Sequence, residues 1–534
     1  MTTSVVVVPT QRSVAAPTLP TPLPDPRRRV VRPTRSTWVH AGVGVLVAGA
    51  LMALARGALG DDSYISLDYA RTLLEHGQWG LVPGRTANTA TSPLNVWLLA
   101  GALGVTGTVT GAVGLVLALA FAVIGGGTAR LARLVSPGPV LPLAAMALLA
   151  TSPLLVSTIG LETYLGVAAV VAVATAAASG RPALAGVLCG VAMLVRPDYA
   201  IPALVVLVLL WRPVDLRARV RGLLLAGGVA AVVALPWHLW AWFELGGFVP
   251  DTFSFKTNPA AGHLPSMIAE FDNLYWSRTP VAVVVVGITV VAAWALALAV
   301  VASRLRRLGR ARPRPAGPGG LSAGRLVVAF AGSGTAHVVA LMVINAYPQA
   351  WYFGPLVAGS ALAVAVALAA RPARSRALAA GGLAVYCAGA LVVAGQGGVP
   401  WTAADMNSNF TDPAAYLRVG HELPGLVGDV SVAPPGEVGA ITWGCRCDMV
   451  DQFSARAYAR PLLDHRYDLG GHLSRVVLRL NWHHRPDVAS PQPAYRLRYV
   501  RGDDPTPADV RHTWWVTSPQ TGPPFRIVLV PTSP

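Results

Sequence analysis

Residues 38–62 read WVHAGVGVLVAGALMALARGALGDD, an apolar run closed by two adjacent carboxylates, Asp61 and Asp62. A helix needs about 20 mainly apolar residues to cross the hydrocarbon core of a bilayer. Trp38 to Leu59 supplies them. The acids lead into Ser63-Tyr64-Ile65-Ser66-Leu67-Asp68-Tyr69-Ala70-Arg71, an amphipathic stretch. Any polar residue can end a spanning helix, so paired acids at its end point to a site that removes a proton or holds a cation.

The rest of the chain has the same character. Of its 534 residues, 54% are hydrophobic and only 13% charged, which excludes an ordinary soluble domain and marks a polytopic α-helical membrane protein. Further apolar runs lie near 93–108, 111–131, 139–158, 164–180, 182–211 (broken by Arg196-Pro197-Asp198), 222–242, 280–302, 325–345, 351–370 and 376–396. With the first, they give about eleven spans in a membrane domain over 37–396. Residues 397–534 hold no such run. They read as a small α/β domain, with alternating strands at 429–433, 496–500 and 526–531 beside a helix over 413–423. Residues 1–36, rich in Pro, Thr and Arg, read as a disordered cytoplasmic tail.

The net charge of +17 does not mark a nucleic-acid binder. Arginines cluster between spans, at Arg27–Arg35, Arg212–Arg221, Arg304–Arg325 and Arg371–Arg376, which is the positive-inside pattern. No basic and aromatic residues interleave on a soluble surface. An odd span count puts the N-terminus in the cytoplasm and residues 397–534 outside, together with two loops long enough to build a site, 60–92 and 243–279. This count leaves Arg130 and Arg133 outside, and the side on which Glu162 lies is open.

Lys256 is the only lysine in a chain whose other cations are arginine. A compact ammonium kept at one position suits a point contact with a phosphate oxygen. It ends Gly247-Phe248-Val249-Pro250-Asp251-Thr252-Phe253-Ser254-Phe255-Lys256, in the second outer loop.

Taken in order, the motifs resemble the GT-C superfamily of polyprenyl-phosphate-sugar-dependent glycosyltransferases, in particular the actinobacterial arabinofuranosyltransferases. The residues carrying the resemblance are Asp61-Asp62-Ser63-Tyr64-Ile65-Ser66 through Thr91-Ser92-Pro93-Leu94, then Gly160-Leu161-Glu162-Thr163, Arg196-Pro197-Asp198 and Pro250 to Lys256. Gly439-Ala440-Ile441 and Val450-Asp451 resemble a strand pair of the same family. Asp251 departs from the family Asn, and Trp351-Tyr352 from an Arg-Tyr.

The resemblance implies transfer of a sugar, arabinofuranose first, from a polyprenyl-phosphate donor to a cell-envelope polysaccharide on the outer face of the membrane, among membrane lipids. Moving a sugar to a hydroxyl requires a carboxylate near that hydroxyl and cations at the departing phosphate. The expected base is Asp61, with Asp62 orienting the acceptor, and the rival reading is an acid pair that caps the loop helix. Lys256 is the expected phosphate holder, with Arg71 and Arg85 as helpers or as partners of lipid headgroups. Tyr64, Glu162, Asp251, Trp351 and Tyr352 are candidate substrate contacts. No cofactor or metal site is expected beyond the lipid-phosphate sugar, and a role for a divalent cation is open. His337 reads as a core histidine, and Cys445 and Cys447 as free thiols or a redox pair. A mannosyltransferase is the rival within the class. A transporter or lipid flippase is the rival outside it, but the internal repeats of such proteins are not evident.

Overall fold

A computed structural model describes residues 33–211, 213, 215–257, 265–308, 321–395, 398–406, 409–485, 488–489, 491–517 and 525–532. Most of the expected cytoplasmic tail, residues 1–32, lies outside the described residues.

Inside a bilayer an apolar segment can satisfy its backbone only within a helix or a closed barrel. Among the described residues seven helices are long and apolar enough to cross: Arg35–Ala55, Val109–Val135, Leu216–Glu244, Pro280–Arg306, Ala323–Val343, Ala350–Ala369 and Ala373–Ala394. Pro93–Thr106, Val140–Thr151, Thr163–Ala178, Pro182–Val195 and Pro197–Leu210 are shorter apolar helices. Local chemistry sets several starts, since Thr108, Asp215 and Ser322 each accept a backbone N–H of the first turn that follows.

Contacts between helices fix which ends lie together. Arg35–Ala55 and Val109–Val135 run antiparallel at close range, which small residues permit. A Cβ at Gly44 would fall 2.3 Å from the Phe121 carbonyl oxygen, one at Gly125 2.3 Å from that of His40, and one at Gly114 would meet Met52. Val109 therefore starts beside the end that carries Asp61. Val135 finishes at the opposite end, where the Ser136 hydroxyl donates to the Ala369 carbonyl (2.7 Å), next to Arg371. Arg130 and Arg133 thus lie toward the Arg371 end, not the end that carries Asp61.

Two expected spans are redrawn. Pro93–Thr106 begins at the Asp61 end, where Asn95 donates to Gly160, and Gly107 (φ 66°) ends it within two residues of Val109. Both ends of this 14-residue helix therefore lie at the Asp61 end, and it does not cross. The run 182–211 instead makes two passes. Pro182–Val195 lies along Leu216–Glu244, with Gly186 against Ala226 and Gly190 against Val233, and Arg219 donates to the Val208 carbonyl (3.1 Å) as the second pass returns. The turn falls at Arg196-Pro197-Asp198 because Pro197 lacks an N–H and disfavours a helical residue before it.

Beyond residue 398 the chain packs on the Asp61 end. Helix Pro413–Val427 precedes a four-stranded sheet of β1 (Val432–Ala433), β2 (Tyr495–Arg501), β3 (His512–Val516) and β4 (Phe525–Pro531). Its order is β1-β2-β4-β3, with β1 parallel to β2 and the other pairs antiparallel. Leu497, Ile527 and Leu529 bury one face. Helices Gly439–Cys445, Arg456–Leu469 and His472–Asn481 lie between β1 and β2. The strand pair read at Gly439 and Val450 is corrected, since Gly439 opens a helix and Val450 instead donates to Val432 beside β1. Cys445 and Cys447 are joined as a disulfide across the C-terminus of that helix, so the expectation of free thiols gives way.

Candidate active site

Helix Asp61–His76 opens with both acids in its first turn, where the helix dipole favours negative charge. Successive residues on a helix point about 100° apart, so adjacent carboxylates diverge. Asp61 turns into the tail. Its Oδ1 accepts the Ala440 N–H (2.8 Å), and its Oδ2 accepts those of Val438 (3.1 Å) and Gly439 (3.0 Å). Only 3% of the residue is exposed. Asp61 thereby fastens the start of helix Gly439–Cys445 to the first loop. Asp61, the expected base, thus has both carboxylate oxygens in contact with backbone donors of the tail.

Burial first, and then the nearby Glu437, raises the Asp61 carboxyl to about 7 against the backbone bonds that favour its charged form. With a folded-state value raised above the unfolded one, the docked tail holds a proton that the undocked chain releases. Docking is then strongest at acid pH and weakens as pH rises from about 4 toward about 7. Asp61→Asn, which cannot titrate, is expected to flatten this dependence, read as the rate of proteolytic release of the tail against pH. An unchanged slope in the variant would assign the effect to another group.

Asp62 faces the other way. Its Oδ1 lies 3.4 Å from Lys256 Nζ, with the two side chains 26% and 20% exposed, so the pair is reachable from solvent. The loop around Lys256 is fixed by its backbone: the Lys256 N–H donates to Thr252 (3.1 Å), the Tyr347 N–H donates to the Lys256 carbonyl (2.8 Å), and Thr257 bridges Ala346. The ammonium also sits 4.6 Å from the centre of the Trp351 ring, a cation–π contact.

The next aromatic residue, Tyr352, carries the Arg196 guanidinium 4.6 Å from its ring centre. Arg196 in turn binds Glu162 (2.8 Å) and Asp198 (2.9 Å), and His337 Nε2 lies 3.1 Å from Asp198. Buried charges persist only when compensated in this way. The set acts as a strut that holds Tyr352, and through its neighbour Trp351 the Lys256 side. Ser63 donates to the Ile159 carbonyl (3.0 Å), which places the Glu162 segment at the same end as the acid pair. Sequence reasoning did not assign Asp198 and His337 to this end, although ionisable side chains among apolar spans were the available signal.

The remaining candidates lie elsewhere. Arg71 pairs with Asp68 (2.7 Å) and donates to the carbonyls of Trp443 and Thr442, its guanidinium over the Trp443 ring (4.4 Å). Arg85 pairs with Asp448 and donates to Met449 (2.7 Å). Both therefore bind the tail to the first loop. Tyr64 is buried 6.3 Å from Trp443. Asp251 is buried too, its carboxyl raised to about 6 by burial and opposed by the charges of Arg485 and Arg456. It belongs to the seam with the tail. Among the described residues there is no group of three or more His, Cys, Asp or Glu that could hold a metal ion.

The multi-pass helical bundle thus carries at its loop end a polar, solvent-reachable acid–lysine pair. Residues 93–317 match the model of glycosyltransferase family 87. The fold is similar to that of ArnT from Cupriavidus metallidurans bound to undecaprenyl phosphate, at 14% identity and a TM-score of 0.55 over 93% of this chain and 98% of that one. The apo form of the same protein matches at 13% identity and a TM-score of 0.54, over 92% and 97% of the two chains. No curated protein matches the sequence significantly. The chain is a membrane glycosyltransferase.

Proposed function

We propose that this enzyme transfers a sugar, arabinofuranose in the first instance, from a polyprenyl-phosphate donor to a hydroxyl of a cell-envelope glycan, with Asp62 as base and Lys256 at the phosphate. The observation that carries the reading is the 3.4 Å contact between Lys256 and Asp62, brought together from two loops 194 positions apart. The lipid phosphate held by ArnT supports the donor class, and the ordered motifs from Asp61 to Lys256 support the sugar.

The chemistry follows from that contact. A donor phosphate draws the Lys256 ammonium from Asp62, because a phosphate offers more charge and more acceptor oxygens than one carboxylate. Asp62 is then free to accept the acceptor proton. As the acceptor oxygen bonds to the sugar C1, its proton passes to Asp62 and the C1–O bond to phosphate breaks. The electron pair leaves on the phosphate oxygen beside Lys256, where a preorganised cation is most effective.

The site requires the Asp61 end to face outward. On this reading the shorter apolar helices other than 93–106 also cross, the number of crossings is odd, and Arg130 and Arg133 join Arg371 on the inner side as the positive-inside rule asks. The C-terminal residues are then extracytoplasmic. A tag at Pro534 should be reached by an impermeant label in intact cells, and a tag reached only after lysis would refute this orientation.

The assignment is tested by incubating the purified protein with a panel of polyprenyl-phosphoryl sugars and synthetic glycan acceptors. Transfer from the arabinofuranosyl donor is expected. Transfer from the mannosyl donor alone would make this a mannosyltransferase, and release of sugar from none of them would overturn the reading.

A further inference from the structure

In a soluble domain an amphipathic helix turns its apolar stripe to the core and its charges to water. Helix His472–Asn481 of the tail departs from this pattern. Leu478 and Asn481 are buried, whereas Val476, Val477 and Leu480 are 44%, 56% and 61% exposed. At 100° per residue these three side chains fall within an arc of about 100°, so they form one stripe. Arg475 and Arg479 lie beside it and are exposed as well. A single apolar side chain at a surface needs no explanation, but a stripe of them marks a contact.

This helix stands where the bilayer ends. Helix Leu216–Glu244 carries Arg217, Arg219 and Arg221 near its start and then has no Asp, Glu, Lys or Arg from Gly222 to Phe243. At 1.5 Å per residue that stretch is about 33 Å long, close to the ~30 Å thickness of the hydrocarbon core. Trp242 therefore falls at the boundary, where indole rings collect. Its Nε1 donates to the Leu480 carbonyl (2.9 Å). Trp240 and Phe243 beside it are 42% and 57% exposed, and the His484 ring lies 4.7 Å from both Trp242 and Phe243. The exposed stripe of the tail and the exposed end of the spanning helix thus meet at one height.

The junction is also tied by hydrogen bonds. Buried Asn481 accepts the Val249 N–H through Oδ1 (2.8 Å), which fixes the helix to the loop that carries Lys256.

We infer that helix His472–Asn481 is an interfacial helix, with Val476, Val477 and Leu480 in the acyl-chain boundary of the leaflet beside Lys256 and Arg479 at the headgroup phosphates. A bilayer is already present at this height because the spanning helix ends there, and its phosphates complement the arginine. The tail is then held to the bilayer itself as well as to the first loop. Through Asn481 and Val249 the Lys256 loop is held at headgroup level. The inference needs neither the identity of the sugar nor the side on which the tail lies, only that Leu216–Glu244 crosses.

The test places full-length protein in nanodiscs of phosphatidylcholine and phosphatidylglycerol, with a spin label on Leu480→Cys, Val477→Cys or Arg479→Cys. Power-saturation EPR reads access of oxygen, which concentrates among acyl chains, and of a nickel chelate, which stays in water. The parent protein treated with the same label corrects for Cys189 and Cys387, which are buried. Thermal unfolding of each variant checks that it is folded. The oxygen-to-nickel ratio at positions 477 and 480 is expected to exceed that at 479 severalfold, as an apolar face sunk below the headgroups requires. Equal and high nickel access at all three positions would put the helix in water and overturn the inference. Low access of both reagents at 477 and 480 would mean that protein covers the stripe, either a second copy or another stretch of this chain, and would overturn it too.

Discussion

Asp62→Asn is expected to remove sugar transfer while leaving the protein folded and able to bind its lipid donor. The amide keeps the size of the side chain and can still accept a hydrogen bond, but it cannot take a proton. General-base catalysis contributes roughly 10²–10⁴-fold, so turnover should fall by that factor with little change in the donor concentration for half-maximal rate. Asp61→Asn supplies the control on the adjacent position. Its effect should appear in docking of the tail and its pH dependence, with turnover reduced far less than in the Asp62 variant. If Asp61→Asn were inactive and Asp62→Asn retained near-normal turnover, the base would be Asp61 and the mechanism given above would be wrong.

The second large effect is expected at Lys256. Lys256→Met should lower kcat by about 10²–10³-fold, the usual loss when one preorganised donor is removed from developing charge. Lys256→Arg is the more discriminating variant, since it keeps the charge. The ammonium fits between the Asp62 carboxylate at 3.4 Å and the Trp351 face at 4.6 Å, a space defined around a compact head. A planar guanidinium would either stack on Trp351 or pair with Asp62 in a forked geometry, and both hold the base closed. A fall of about tenfold or more in kcat/KM is therefore expected. An unaffected rate would mean that the lysine is incidental. Donor binding read separately, by displacement of a fluorescent polyprenyl phosphate, should weaken in both variants.

Much of this was legible in the sequence because the signals were local. Most apolar helices can be placed from hydropathy, and the uniqueness of Lys256 needs only a count. The strands expected at 496–500 and 526–531 fall on β2 and β4. What sequence could not supply was direction. Nothing in Asp61-Asp62 says which carboxylate points into the tail, because that depends on where Val438, Gly439 and Ala440 present their N–H groups, 377 to 379 positions away. Arg71 and Arg85 looked free for a phosphate for the same reason, since their partners at Thr442, Trp443 and Asp448 are equally remote. Helix Gly439–Cys445 was misread because a short run of Gly, Ala and Ile carries no period, and the Asp61 carboxylate at its start settles the matter. That 93–106 does not cross and that 182–211 passes twice were hidden in hydropathy, which registers apolar length but not direction. Arg196-Pro197-Asp198 was visible as a break, and only the contacts with Glu162, Tyr352 and His337 show that the break carries the strut of the site.

The account therefore stands on the placement of one phosphate. A cryo-electron microscopy structure of the protein in nanodiscs with a polyprenyl phosphate bound tests it most directly. The expected result is the phosphate within hydrogen-bond distance of Lys256 Nζ, the Lys256–Asp62 contact opened, and the Asp62 carboxylate facing the space left for an acceptor hydroxyl. A phosphate seated away from Lys256, with the lysine still paired to Asp62, would contradict it.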